Sequence, residues 1–186
     1  MLIDTLLPSW DVHEVHGIDV AASPDRTWAA LEQLTVGELP LARLLMRLRG
    51  LGRSSSGLDR PFLDRVGFLV PLAETERERV SGMVGRPWQL RPATVPIAGA
   101  EDFTGFARPG WVRVATDFRV SDAAGGSRLE TETRIQATDT GARRRFAVYW
   151  RIVGFGSALI RRPGARSACR CWSRTGPPRC RVAGAW

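Results

Sequence analysis

The chain contains no lysine and no asparagine, so all 27 of its basic residues are arginine. Lysine and asparagine codons are AT-rich and arginine codons GC-rich, which points to a GC-rich genome and makes the arginine abundance partly a matter of mutational bias. Arginine richness therefore says little about nucleic acid. The net charge of +8 is also uneven: residues 1–162 hold 22 Arg against 19 acids, and residues 163–186 hold five Arg and no acid. The body of the chain is only mildly basic and carries no recognisable duplex-binding module, so no nucleic-acid partner is expected.

Long apolar runs are missing as well. No stretch approaches the roughly 18 uninterrupted apolar residues of a membrane span, and Met1-Leu2-Ile3-Asp4 opens without the basic segment of a secretory signal. The expectation is a cytoplasmic protein with no integral membrane segment. Cysteine is confined to Cys169, Cys171 and Cys180, which lack a fourth ligand and the spacing of a zinc site, so neither metal nor cofactor is expected. Gly50-Leu51-Gly52 follows a helical pattern rather than a strand and lacks the third glycine of a dinucleotide loop. Gly154-Phe155-Gly156-Ser157 places serine after the second glycine, unlike a nucleophile elbow.

What the sequence does offer is alternation. From Trp111 to Val120 the even positions are Val112, Val114, Thr116, Phe118 and Val120, and the odd ones Trp111, Arg113, Ala115, Asp117 and Arg119. This period of two predicts a strand with its even face buried and its odd face wet. Arg128–Ala137 repeats the pattern in opposite parity, with Ser121–Ser127 as the turn. Matching the apolar faces sets Val120 against Leu129, Phe118 against Thr131 and Arg119 against Glu130, because a slip of one residue would invert every side chain. Thr138-Asp139-Thr140 then supplies N-cap oxygens, and Phe146, Trp150 and Val153 follow at helical spacing. That stripe predicts a helix lying across the sheet, with Arg143, Arg144, Arg145 and Arg151 turned away.

Upstream, Val12–Val20 reads as the first strand, with Glu14, His16, Ile18 and Val20 on one parity. Ser23-Pro24 opens a short helix carrying Trp28, Leu31 and Leu34. A second helix is expected through Leu39, Leu41, Leu44, Leu45 and Leu48, ending in the Gly50–Gly57 loop. Gly67–Ala73 and Glu78–Trp88 read as strands about the turn Glu74–Arg77; Gly82 and Gly85 suggest a bulge or a close backbone approach. Gln89–Pro109 reads as loop with one short strand.

This order, strand, two helices, antiparallel strands and a long C-terminal helix, resembles the START-like, helix-grip superfamily, often called SRPBCC, which includes polyketide cyclase and lipid-transfer families. The resemblance rests on Val15–Leu34 with Ala21-Ala22-Ser23-Pro24-Asp25-Arg26-Thr27-Trp28, on Val80–Trp88 and on Arg128–Trp150. It implies an α+β domain over residues 1–162, in which a curved antiparallel sheet grips the last helix around an apolar cavity. Pro163-Gly164 breaks the pattern, and 163–186 reads as an irregular, frameshifted or disordered tail.

Parity places His16, Arg86, Trp88, Val114 and Phe118 toward that cavity, with Leu44 from the second helix and Phe146 and Trp150 from the last. The leading expectation is binding or carriage of a small apolar or aromatic molecule without chemistry, with His16 and Arg86 as polar handles. An alternative is a cyclase- or aromatase-like enzyme in which Glu14 orients His16 as acid and base on a polyketide-like substrate. A third is an interaction or stress-related module whose cavity is filled by its own side chains.

Overall fold

The computed structural model describes residues 1–33, 69–89 and 92–151. In chain order the elements are α1 (Leu2–Leu6), β1 (Val12–Val20), α2 (Pro24–Gln33), β2 (Val70–Thr75), β3 (Glu78–Arg86) and β4 (Ala93–Val95). They continue with α3 (Ala100–Thr104), β5 (Val112–Ala123), β6 (Gly126–Ala137) and a C-terminal helix, α4, covering residues 140–151. The expected second helix with Leu44, the Gly50–Gly57 loop, the start of the strand at Gly67, Val153 and the 163–186 tail lie outside the described residues.

Among the described residues the architecture is α+β, an open antiparallel sheet of six strands in the order β1-β6-β5-β3-β2, with β4 also pairing β3. The central hairpin has the register its alternation dictates: Val120 faces Leu129, Phe118 faces Thr131 and Arg119 faces Glu130. Its turn is shorter than the expected seven-residue loop. Ala123 still pairs with Gly126, leaving Ala124-Gly125 as the loop, and Gly125 takes φ +83°, a left-handed conformation that glycine adopts without cost. β2 likewise runs on to Thr75, which pairs with Glu78, so the turn is Glu76-Arg77 alone.

The bulge expected in β3 lies across the ladder instead. Register shifts between Pro71 and Ala73 on β2, while Gly82 and Gly85 mark close approaches. A Cβ at Gly82 would come 2.5 Å from Leu72 Cδ1 and 3.0 Å from the Val114 carbonyl oxygen.

Two helices cover one face of the sheet. α2 lays Trp28 and Leu31 on Phe118, Val120 and Leu129; the Thr27 and Ser127 hydroxyls meet at 2.7 Å beneath it. α4 lays Phe146, Tyr149 and Trp150 on Val112, Val114 and Ile135. Asp139 starts α4 as anticipated, its Oδ1 accepting from the amides of Gly141 at 2.7 Å and Ala142 at 3.0 Å. Its other carboxylate oxygen accepts from the Gly110 amide, tying the helix start to the entry of β5. These amides hold the Asp139 carboxyl below its usual range, Gly110 foremost.

The opposite face corrects the sequence expectation. It is not a wet face: Ile3, Leu6 and Leu7 around α1, with Phe103 of α3, pack on Val80, Val84, Trp111 and Ala115. Neither five-residue helix was anticipated, since each is too short for a helical period to show in sequence. Their arrival buries Asp117 to 1 %, Glu132 to 4 % and Arg134 to 4 % exposure. Among the described residues no helix is long and apolar enough to cross a membrane.

Candidate functional site

β1 and β6 set the floor of the site. His16 stands opposite Thr131 and Glu14 opposite Thr133; on the other side of β6, Thr131 faces Phe118 and Thr133 faces Thr116. All six side chains therefore project from the face that carries α2 and α4. Apolar clusters occupy its two ends, Trp28, Leu31, Phe118 and Val120 beneath α2, and Val112, Ile135 and Phe146 beneath α4. The band between them is polar: Glu14, Thr116, Thr131 and Thr133 are half-buried, and the Thr116 and Thr133 hydroxyls lie 3.4 Å apart.

Glu14 Oε2 is 3.8 Å from His16 Nε2, and the imidazole is 53 % exposed against 25 % for the carboxylate. At that exposure the ring remains in exchange with water, suited to hydrogen bonding a polar group of a ligand. A proton relay also needs the two groups within hydrogen-bond reach, and 3.8 Å leaves a gap that a bound molecule would have to close.

The aromatic wall stands at the α4 end. Trp88, Val114, Phe146 and Trp150 pack together there, with Phe146 stacked on Trp150 at 5.5 Å between centroids and 25° between planes. Tyr149 joins them, its ring 5.9 Å from Phe146. The sequence reading passed over Tyr149, although it lies three residues after Phe146 on the same stripe. Phe118 belongs to the α2 end, separated from this group by the threonine band.

Arg86 is the correction. β3 pairs Val80 with Asp117 and Val84 with Arg113, so the strand parity of Val80, Val84 and Arg86 belongs to the α1 face. There Arg86 donates from Nε to the Gly110 carbonyl at 2.7 Å and stacks on Trp111 at 4.1 Å. It is not a handle in the threonine band. Trp88 shares its parity yet reaches the other face because the strand stops at Arg86, and the Gln89 amide closes a turn onto the Arg86 carbonyl. The β3 residues that do share the site's face are Arg79, Ser81 and Met83, opposite Phe118, Thr116 and Val114.

A depression of about 470 Å³, open to solvent, lies beside α3 and is lined by Pro96, Ile97, Glu101, Asp102, Phe106 and Arg108. None of the expected cavity residues borders it. Among the described residues no group of three or more His, Cys, Asp or Glu is placed to hold a metal ion. No protein-family model matches the chain, and no curated protein does.

Proposed function

We propose that the protein is a helix-grip domain of the START-like kind that binds or carries a small, largely apolar molecule between its sheet and α4. The observation carrying this reading is the division of one sheet face into an aromatic wall and a polar band. Trp88, Phe146, Tyr149 and Trp150 gather in one apolar aromatic cluster; Glu14, His16 and the hydroxyls of Thr116, Thr131 and Thr133 offer hydrogen bonds a few residues away. A ligand with a ring system and one polar end matches that arrangement, since apolar walls supply affinity and a few polar groups fix orientation. Native mass spectrometry of protein purified gently from its own host tests it. A reproducible extra mass, lost on denaturation and absent from Trp150→Ala protein, is expected; a bare mass, unchanged by added aromatic ligands, refutes it.

The proximity of Glu14 to His16 favours a second reading, proton transfer on the bound molecule in the manner of a cyclase or aromatase. In that case His16→Gln abolishes conversion of a polyketide-like substrate and leaves its binding intact.

A further inference from the structure

On the sheet face away from the proposed ligand, carboxylates outnumber the cations that reach them. Asp117 on β5 lies directly opposite Glu132 on β6, and Glu78 on β3 stands beside Arg119. The cations are divided among several acids. Arg119 gives a 2.9 Å hydrogen bond from Nη2 to Glu130, while its Nη1, buried without a hydrogen-bond partner, stops 3.7 Å short of Asp117 Oδ2. Arg134 bonds Glu132 at 2.6 Å and Asp4 of α1 at 2.7 Å, and His13 of β1 meets Glu132 at 2.8 Å. Asp117 Oδ1 is buried without any hydrogen-bond partner.

α1 closes this cluster from water. It is held by Ile3, Leu6 and Leu7 and by ties to the same ions: the Leu2 amide donates to Glu78 Oε1 at 2.7 Å, and Arg134 donates to the Leu7 carbonyl at 3.1 Å. We propose that α1 is a proton-dependent clasp, seated while Asp117 beneath it is protonated and released from the sheet when that proton is lost. An ionised Asp117 would be a buried anion facing two more, offset only by the 3.7 Å approach of Arg119, and lifting one short helix is the smallest movement that lets water reach it. Burial pushes the Asp117 carboxyl up to about 7; Glu78 acts in the same direction, Arg119 opposes, Glu132 adds to the rise, and the Met1 ammonium at the start of α1 opposes it.

The closed state binds the proton more tightly than the open state, in which Asp117 returns toward about 4. Opening therefore grows as pH rises between those values, by up to about tenfold per pH unit, and levels off above the closed-state value. Hydrogen exchange of residues 1–10, corrected for the intrinsic pH dependence of amide exchange, measures it from about pH 5 to about pH 8.5. The wild-type protein is expected to show the rise and the plateau, and Asp117→Asn a flat profile with α1 protected throughout. A flat wild-type profile, or a slope that survives in Asp117→Asn, overturns the proposal. Should Asp117→Asn not fold, Glu78→Gln keeps an acceptor for the Leu2 amide while removing one neighbouring charge; it must move the plateau to lower pH, and an unmoved plateau is equally fatal.

Discussion

The Arg86 guanidinium lies 4.1 Å from the centroid of the Trp111 ring, and its Nε reaches the carbonyl of Gly110, the residue just before that ring. Arg108 approaches the same indole at 5.8 Å. Arg86 thus ties the end of β3 to the entry of β5. Replacing it with alanine removes a cation–π contact and a charge-assisted hydrogen bond, for an expected loss of about 1–2 kcal/mol in denaturant unfolding. Ligand affinity in the threonine band should be unchanged, and an affinity loss beyond the stability effect would return Arg86 to the site.

Phe118 is 9 % exposed and packs beneath Trp28 and Leu31. Phe118→Ala should cost about 3–5 kcal/mol, the range for emptying an aromatic site in a core. An effect under about 1 kcal/mol would mean that the ring lines open space rather than holding α2 to the sheet.

Gly82 leaves no room for a methyl group, with Leu72, Phe103 and the Val114 backbone all within 3.0 Å of a built Cβ. Gly82→Ala is expected to destabilise by about 1–3 kcal/mol through overpacking. A shift in thermal unfolding with unchanged ligand binding would locate the damage on the α1 face.

Glu130 accepts hydrogen bonds from Arg119 at 2.9 Å and Arg128 at 3.0 Å, and those two bonds hold its carboxyl below the usual glutamate value of 4.5. Its folded-state value is depressed, so its contribution is full above 4.5 and fades as pH falls through the folded value. Glu130→Gln should therefore lower stability by about 1 kcal/mol at neutral pH, and the two proteins should converge in strong acid. Parallel curves down to low pH would show that the carboxylate is not responsible.

Asp139 joins the start of α4 to Gly110. Asp139→Ala should fray the first turn of the helix and loosen the aromatic wall together. The check is whether amide protection falls both at residues 140–143 and at 110–112; loss at the helix alone would separate the cap from the loop.

Strand pairing and helix start were legible because they depend on neighbours in sequence. β5 and β6 are adjacent and joined by a two-residue loop, so alternating polarity along each was enough to set Phe118 against Thr131 and to bring His16 onto the same face. Asp139 and the stripe Phe146–Trp150 are local signals too, written in capping chemistry and helical period. β3 was not legible in this way. Both of its faces are covered, with Val80 and Val84 at 0 % exposure on one and Ser81 at 6 % on the other, and a strand buried on both sides loses the polarity difference that tells its faces apart. That is why sequence parity alone places Arg86 on the ligand side. The burial of Asp117 likewise required α1, whose Asp4 meets Arg134 from 130 residues away. Alternation tells which side chains share a face, and only the tertiary packing of α1 and α3 decides whether that face meets water.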